Sequence, residues 1–284
     1  MVKLSAIQLC SVPDVAENLA QIDAQMALLP KAEQHIVVLP ECCLFFGGRD
    51  AQQLQLAQQT DQNQHLVHEL AALAKKYQVT LVAGSIPILS TSEQQAPEMS
   101  KFTNSCIVFS AQGQLLQRYD KIHLFDVEVN DSEKSYSESK YTQAGKNLAT
   151  LELPPVILGL SICYDLRFPE LYRQLATQGA NVITIPAAFT RVTGQAHWET
   201  LIRARAIENQ AYVIAAGQEG VHANGRETWG HSMIVSPWGE ILEQQATGVG
   251  SISVDFDLSV LQHVKQTMPV GEHNQFTTKF KSYE

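Results

Sequence analysis

The chain has 284 residues, enough for one large α/β domain or two small ones with a substantial core. Hydrophobic residues make up 45% of the chain and charged residues 17%, which is the balance of an ordinary globular protein. The net charge of −9 comes without a Lys/Arg cluster, which argues against nucleic acid as a partner, and no apolar run is long enough to span a membrane.

The first half of the chain alternates between strand and helix patterns. The opening residues form a strand pattern and lack the long apolar stretch of a signal peptide. Residues 14–29 carry apolar side chains at spacings of 4, 3, 4 and 3, which place them on one face of a helix. The predicted elements are strands 3–10, 35–40, 79–88, 104–110 and 114–124 and helices 14–29 and about 62–77, with a polar loop at 90–101.

The second half begins with a polar segment, residues 126–147, that has few large apolar side chains. A structureless stretch of this length inside a compact domain is usually functional or mobile. After it we predict strands 156–163, 181–186, 211–216, 231–236, 240–244 and 250–255, helices 169–178 and about 195–209, a loop at 220–229 and a polar tail from about residue 271. Since no repeat, linker or low-complexity block occurs, the chain is expected to be a single α/β domain, residues 1–284, with mixed sheets covered by helices.

The cysteines are odd in number and scattered: Cys10, Cys42, Cys43, Cys106 and Cys163. No CxxC pair occurs, so the sequence predicts neither a disulfide framework nor a zinc ribbon. A zinc site built from Cys42 and Cys43 with His35 or His123 would lack the usual ligand spacing. A reducing cytoplasm is the expected location.

Cys163 stands where a strand gives way to a turn and a helix. The β-forming run 156–162 ends at this thiol, and Phe168-Pro169-Glu170 marks a helix start, because proline is tolerated and glutamate is favoured in a first helical turn. Such a turn lifts a side chain off the sheet and points backbone N–H groups at one spot, which suits a nucleophile beside an oxyanion site. The alternative is a buried core cysteine, since free cysteines are among the most buried residues.

A cysteine that attacks a carbonyl needs a base for its proton and a cation for the developing oxyanion. Glu41 directly follows the apolar run 36–40, where partial desolvation would raise its pKa toward that of a useful base. Lys121 also stands where a strand runs out. The alternatives are a solvated loop glutamate and a surface lysine paired with Asp120 or Asp126.

Three segments resemble the signature segments of the nitrilase-like carbon–nitrogen hydrolases: Pro40-Glu41, Asp120-Lys121-Ile122-His123 and Ile162-Cys163-Tyr164-Asp165. Their order and spacing also agree, because Lys121 follows Glu41 by 80 residues and Cys163 follows Lys121 by 42. The resemblance runs from the first strand to about residue 270. It implies a four-layer αββα sandwich, a Glu-Lys-Cys catalytic set without metal or organic cofactor, and homodimers or larger oligomers.

Further matches narrow the resemblance within the family. The segment 136–139 resembles the one that carries the family's second active-site glutamate, so Glu138 would orient Lys121 and the substrate. Segments 186–194, 197–198, 203–210, 230–233 and 237–239 resemble a branch that cleaves amides of a five-carbon 2-oxo diacid. The leaving group is then cysteinylglycine or ammonia. Details at His222, Arg226-Glu227 and 229–235 favour the enzymes that release cysteinylglycine. Segments 121–127 and 138–140 resemble equally the enzymes that release ammonia.

The resemblance also assigns roles around the bond to be cleaved. Glu41 would take the thiol proton, and Lys121 with the backbone N–H of Tyr164 would hold the oxyanion. The small-molecule substrate carries a carboxylate, so a cation should meet it, and Arg191 is the candidate for that cation. The residues expected to line the substrate pocket are Phe45, Phe189 and Thr193.

Other interpretations stay open at the level of sequence. The same fold would serve a nitrilase, a carbamoylase or a transferase, and a scaffold without activity could keep the pocket. A papain-like pair is a further alternative, in which His123, His197 or His231 would be the base for Cys163. No histidine stands in a strand-end motif, which favours Glu41.

Overall fold

The computed structural model describes residues 1–59, 64–90, 100–131 and 135–279. The start of the predicted helix 62–77, most of the predicted loop 90–101, a part of the segment 126–147 and the end of the polar tail lie outside these described residues. The helices within them are α1 (Val15–Ala27), α2 (Asp50–Gln59), α3 (Gln64–Tyr77), α4 (Pro169–Thr177), α5 (Arg191–Asn209), α6 (Leu258–Thr267) and α7 (Val270–His273).

The strands of the first half are β1 (Val2–Gln8), β2 (Gln34–Val38), β3 (Thr80–Leu89), β4 (Phe102–Phe109), β5 (Leu115–Asp120), β6 (Asp126–Glu128) and β7 (Ser135–Ser137). Those of the second half are β8 (Thr150–Leu153), β9 (Val156–Leu160), β10 (Val182–Ala187), β11 (Tyr212–Gly217), β12 (Glu219–Val221), β13 (Glu227–Trp229), β14 (Ser232–Val235), β15 (Ile241–Gln245) and β16 (Gly250–Asp255).

Most of these strands form two six-stranded mixed sheets. The first has the order β16-β1-β2-β3-β4-β5, with parallel pairing among β1, β2 and β3 and antiparallel pairing elsewhere. The second has the order β15-β14-β11-β10-β9-β8, with β9, β10 and β11 parallel. Each sheet therefore has a central set of parallel strands that is buried on both faces.

Side-chain alternation along the strands builds the layers. Ile36 and Val38 belong to the core between the two sheets, whereas Val37 and Leu39 pack with residues of α1 and α3 on the outer face. This follows from the two-residue period of a strand, which sends successive side chains to opposite faces. Helices α4 and α5 cover the outer face of the second sheet. The predicted α/β architecture of helices outside two mixed sheets is confirmed.

Helix α5 begins four residues earlier than the predicted start near residue 195. Thr190 caps it by accepting a hydrogen bond from Thr193 N at 3.3 Å. Gly194 interrupts the helical pattern because glycine has low helix propensity. In the fold it allows close contact with Trp229, since a Cβ at Gly194 would lie 2.2 Å from Trp229 Cβ.

Two other differences arise in polar segments. Helix α2 was not predicted, because of its ten residues only Ala57 is buried and the sequence shows no apolar stripe. The segment 126–147, expected to lack structure, contains the antiparallel pair β6 and β7 and a 3-10 turn at Glu138–Lys140. The turn places Glu138 at the site described below. None of the helices in the described ranges combines the length and the apolar character that a membrane span requires.

Candidate active site

Cys163 begins a 3-10 turn, Cys163–Arg167, that connects β9 to α4. Its backbone has the left-handed φ of 48°, an uncommon conformation for a non-glycine residue that is typical of strained functional turns. Arg205 of α5 supports the turn by donating hydrogen bonds from Nε and Nη2 to Leu166 O at 3.1 and 2.7 Å. The thiol therefore lies at a strand–turn–helix junction, and the N–H of Tyr164, in the first turn, has no intrahelical acceptor.

Asp165 connects this turn to the segment that carries Lys121. Its fully buried carboxylate accepts hydrogen bonds from the main-chain N–H of Ile162 at 2.9 Å and of His123 at 3.1 Å. Tyr119 donates its hydroxyl to the same carboxylate at 2.7 Å. The buried side chain of Asp165 thus links the ends of β5 and β9, which belong to different sheets, and fixes their relative position.

Glu41 follows β2 by three residues and points into the same region. Its Oε1 accepts a hydrogen bond from Asn104 Nδ2 at 2.9 Å, and its Oε2 accepts one from Ala188 N at 3.0 Å. Ser85 fixes the turn after it by accepting a hydrogen bond from Cys42 N at 2.9 Å. The carboxylate is consequently held by partners from two different sheets.

The ammonium of Lys121 lies between two carboxylates. Its Nζ is 2.8 Å from Glu41 Oε1 and 2.9 Å from Glu138 Oε2. Glu138 is oriented by Phe125 N, which donates to its Oε2 at 2.7 Å. Lys121 is 2% exposed, Glu41 5% and Cys163 7%, so these groups interact with little screening by water.

The charges of this cluster determine the resting protonation state. Burial acts against the charged form of Lys121, yet the negative charges of Glu138 and Glu41 raise its pKa well above the usual value. Burial and the charge of Glu41 raise the pKa of the Cys163 thiol well above its usual value. The resting site therefore contains a neutral thiol and an ammonium.

The expected rise in the pKa of Glu41 is wrong in direction. Burial alone would raise it, but the charge of Lys121 and hydrogen bonds from Cys163 and Lys121 together hold it below the usual value. The carboxylate is therefore ionised at neutral pH and free to accept a proton.

A cleft with a cavity volume of about 110 Å³ opens over these groups. Glu41, Lys121, Glu138 and Cys163 line it, as do four of the predicted substrate-binding residues: Phe45, Tyr164, Phe189 and Thr193. The apolar rings give the cleft walls, and the charged cluster gives its floor. This is the usual composition of a small-molecule site, in which a few polar groups sit among apolar ones.

Arg191 is not part of this cleft, which corrects the prediction that it meets the substrate carboxylate. It is the first residue of α5, its side chain is 49% exposed, and its Nε lies 2.7 Å from Glu227 Oε2. Its charge is already paired and largely hydrated. Other arginines line the cleft instead: Arg49, Arg167 and Arg226.

Sequence reasoning missed two residues of the site. Asn104 bonds to both Glu41 and Glu138, and asparagine inside the apolar strand β4 was an available signal because strands are depleted in it. Arg226 lies in a loop between β12 and β13 that has no periodic pattern. The sequence offered it only as a detail of the family branch and gave it no role in the site.

The geometry does not support the papain-like alternative. His123 Nδ1 lies 2.7 Å from Asp165 Oδ1, His197 Nδ1 lies 3.2 Å from Arg167 Nη1, and His231 Nδ1 lies 2.8 Å from Trp229 O. None of the three histidines lines the cleft that contains Cys163. The alternative zinc site also finds no support, since no cluster of metal-ligating side chains occurs among the described residues.

Comparisons with known proteins agree with this arrangement. A model of the carbon-nitrogen hydrolase family matches residues 3–266. The deaminated glutathione amidase of Yersinia enterocolitica is 41% identical over 275 residues, covering 97% of this chain and 93% of the relative. That of Synechocystis sp. (strain PCC 6803 / GT-S) is 40% identical over 279 residues, covering 96% and 97%.

The architecture is similar to that of a solved relative. The crystal structure of Nit3 from Saccharomyces cerevisiae, a member of branch 10 of the nitrilase superfamily, superposes with a TM-score of 0.83. The two sequences are 30% identical, and the alignment covers 97% of each chain. The similarity therefore includes the whole of both sheets.

Proposed function

The chain belongs to the carbon-nitrogen hydrolase family, and from this premise we propose that it hydrolyses deaminated glutathione to 2-oxoglutarate and cysteinylglycine through a cysteine thioester. The observation that carries the proposal is the ammonium of Lys121, held between Glu41 and Glu138 in the cleft that also contains Cys163. Two relatives that carry the name deaminated glutathione amidase support the substrate.

In the acylation step Glu41 accepts the thiol proton as Cys163 Sγ attacks the amide carbon. The negative charge that develops on the carbonyl oxygen is held by the ammonium of Lys121 and the N–H of Tyr164. Protonated Glu41 then donates its proton to the amide nitrogen, and the carbon–nitrogen bond breaks. The amine leaves, and the acyl group remains on sulfur as a thioester.

In the deacylation step Glu41 takes a proton from water as the water oxygen attacks the thioester carbon. The same two donors hold the oxyanion, the carbon–sulfur bond breaks, and the proton returns to the thiolate. The low pKa of Glu41 and the high pKa of Cys163 favour the neutral thiol between turnovers. The proton is therefore transferred together with the attack rather than before it.

The two effects assigned to these residues, acid–base catalysis and oxyanion stabilisation, have typical rate contributions that suit amide hydrolysis. Acid–base help by a positioned carboxylate is typically worth about 10²–10⁴ in rate. An oxyanion donor adds roughly 10²–10³, and more where water is excluded. Glu138 acts through Lys121, because its Oε2 lies 2.9 Å from Lys121 Nζ and holds the ammonium in place.

The experiment is a coupled assay that compares deaminated glutathione with 2-oxoglutaramate at equal concentration. Higher kcat/KM for deaminated glutathione is expected, with activity lost in Cys163→Ala and in Glu41→Gln. Preference for 2-oxoglutaramate would instead make the protein an omega-amidase with the same chemistry. A panel of nitriles and carbamoyl compounds extends the test to the other activities of the fold.

A scaffold without activity is the remaining alternative. All four side chains of the proposed catalytic set are present. Lys121 donates to Glu41 and to Glu138, and Cys163 forms a hydrogen bond with Glu41. A binding subunit would not require this network. Alkylation of Cys163 by iodoacetamide, in which Glu41 takes the thiol proton, is expected of the enzyme, and it should be slowed by 2-oxoglutarate and by Glu41→Gln. Equal reactivity of all five cysteines would favour the scaffold.

We also propose that residues 1–284 form a single domain that assembles into homo-oligomers in the cytoplasm. Trp238 and Ile207 are 60% and 50% exposed, and both lie next to Gly239 at one surface, which is unusual for a monomer. All five cysteines are unpaired, as is usual in a reducing compartment. Light scattering coupled to size exclusion tests the assembly, and Trp238→Glu is expected to weaken it.

A further inference from the structure

Arg226 lies in a short loop that is tied to the active-site side of the molecule. Its carbonyl accepts a hydrogen bond from His222 N at 2.9 Å, and its N–H donates to Asn224 Oδ1 at 3.1 Å. The side chain of Asn224 in turn donates to Gly48 O at 3.1 Å. The loop is therefore fixed against the chain that follows Glu41.

The guanidinium of Arg226 lies between two aromatic rings. It is 5.1 Å from the ring centroid of Phe46 and 4.6 Å from that of Tyr136. Cation–π contacts of this kind orient a guanidinium without consuming its hydrogen-bond donors. The guanidinium thus lines the cleft while it contacts both rings.

Within the part of the chain that the structure describes, the charge of Arg226 has no anionic partner. Among the described residues no carboxylate lies within ion-pair distance of it, and its buried Nε makes no hydrogen bond. A buried donor without a partner is uncommon in native proteins and calls for an explanation. Nε itself is covered by protein atoms, so an anion that enters the cleft would meet the part of the guanidinium that lines it.

The other cations of the cleft are already committed or hydrated. Lys121 is held by two carboxylates, and Arg167 stacks over Tyr164 and Phe189 while bonding to His197. Arg49 is exposed at the edge of the cleft, where solvent screens its charge. Arg226 differs from Arg167 because no side-chain hydrogen bond to it occurs among the described residues, whereas Arg167 bonds to His197.

Arg226 also acts on the reacting groups. Its positive charge is one of the influences that lower the pKa of Glu41. A ligand carboxylate bound to Arg226 would therefore lie in the same electrostatic field as the bond to be cleaved. This places Arg226 in the substrate site rather than on a distant surface.

We propose that Arg226 binds a carboxylate of the substrate and so makes the enzyme selective for amides that carry an anionic group, an assignment that rests on the proposed function. Arginine suits this role because its planar fork matches a carboxylate with two parallel hydrogen bonds. Deaminated glutathione has one carboxylate on the acyl side and one on the leaving group. 2-Oxoglutaramate has only the first.

The test compares Arg226→Met with Arg226→Lys, using both amides as substrates. Methionine keeps a long apolar side chain between the two rings, and lysine keeps the charge but not the fork. In Arg226→Met we expect KM to rise about 10- to 100-fold, with kcat within about threefold of wild type, because a charge-assisted hydrogen bond to substrate is lost. Arg226→Lys should have a KM between that of the wild type and that of Arg226→Met.

The two substrates identify the carboxylate. A rise in KM for both places Arg226 on the acyl side, and a rise for deaminated glutathione alone places it on the leaving-group side. The control is Arg191→Met, an arginine of the same region whose charge is paired outside the cleft. It should leave both KM values unchanged. Unchanged KM in Arg226→Met, or a fall in kcat without a change in KM, would overturn the proposal.

A binding measurement separates this proposal from the proposed function. If the wild type hydrolyses neither amide, the proposed function fails. Calorimetric titration of the wild type and of Arg226→Met with 2-oxoglutarate and with cysteinylglycine then tests whether Arg226 binds a carboxylate. Weaker binding of either compound to Arg226→Met than to wild type, by about tenfold or more, supports the assignment. Equal binding of both compounds to the two proteins overturns it.

Discussion

Asp165 Oδ1 lies 2.7 Å from His123 Nδ1, and this contact joins the segment of the nucleophile to the segment of the oxyanion lysine. Asp165 is two residues after Cys163, and His123 is two residues after Lys121. The His123 ring also stacks on Phe168 with centroids 3.7 Å apart. A fully buried carboxylate thereby sets the distance between two reacting groups without facing the cleft itself.

The first prediction concerns this positioning role. Asp165→Asn keeps the shape but removes the charge, so the hydrogen bonds from Ile162 N, His123 N and Tyr119 weaken. We expect kcat to fall about 10- to 100-fold with little change in KM, since small misplacements of catalytic groups are costly. Steady-state kinetics measure this split.

Tyr119→Phe is the matched control, because it removes one hydrogen bond to Asp165 and leaves the others. Its loss of kcat should be smaller than that of Asp165→Asn. The cost in unfolding free energy should be about 1–3 kcal/mol for the lost buried bond. If both variants lowered stability alone and kept the wild-type kcat, Asp165 would be a structural residue only.

The second prediction separates the two glutamates. Glu41→Gln removes the general base and should lower kcat by about 10²–10⁴. Glu138→Gln leaves that base in place and removes only one of the two anions around Lys121, so its loss should be smaller. Single-turnover rates with deaminated glutathione measure both. Equal losses in the two variants would contradict the assignment of Glu41 as the base.

The third prediction concerns Lys121. Lys121→Met removes the cation of the oxyanion site and should lower kcat by about 10²–10³. It also leaves the buried carboxylate of Glu41 and the partly buried one of Glu138 without a counter-charge, which should cost about 3–5 kcal/mol of stability. Adding Glu138→Gln should recover part of the stability and none of the activity. Recovery of activity in the double variant would show that Lys121 acts only by neutralising charge.

The fourth prediction concerns pH. Because the pKa of Glu41 lies below its ordinary value of 4.5, the base stays ionised as the pH falls from neutral to about that value. Activity should decline only at lower pH. The stability that Glu41 contributes is present above the unfolded pKa and is lost as the pH falls through the lowered folded pKa.

Removal of Lys121 should move the acid limb of kcat/KM to higher pH, because burial of Glu41 is then no longer opposed by the adjacent ammonium. The residual activity of Lys121→Met, plotted against pH, measures this shift. An acid limb of the wild type centred above 4.5, or no movement of the limb in the variant, would count against the electrostatic account.

The fifth prediction concerns the backbone beside Glu41. A Cβ at Gly84 would lie 1.9 Å from Pro40 O and 2.4 Å from Leu39 O, so Gly84→Ala must displace the main chain that leads to Glu41. We expect a loss of at least about 1–3 kcal/mol together with lowered kcat. Gly271→Ala, where nothing lies within 4 Å, is the control. Equal melting temperatures for both variants would show that the segment before Glu41 tolerates displacement.

Much of the architecture could be predicted because its signals are local. The spacing of apolar residues in α1 reflects the burial of one helix face, and the apolar runs of β2, β10 and β11 reflect burial of both strand faces. Both patterns can be read in the sequence because buried positions recur at the period of the element. Helix α2 was not predicted for the same reason, because it buries only Ala57 and therefore shows no apolar period. The start of α5 was placed late because Gly194 weakens a helical pattern that packing against Trp229 stabilises.

The candidate site was predictable where a chemically active residue follows a strand. Glu41, Lys121 and Cys163 each have that position, and the structure brings all three to one cleft. Asn104 carried a weaker signal, as a polar residue in an apolar strand. Arg226 was a detail of the family resemblance without an assigned role, because its position at the cleft depends on tertiary contacts of its loop.

The sequence by itself determined the order of strands and helices and the identity of the residues at strand ends, because both depend on neighbouring positions in the chain. Only the tertiary structure decided that Arg226 rather than Arg191 faces the cleft, since loops far apart in sequence are brought together by sheet packing. It also decided the protonation of Glu41. Burial raises the pKa of Glu41, whereas the ammonium of Lys121 at 2.8 Å and the hydrogen bond from Cys163 lower it, and the lowering prevails.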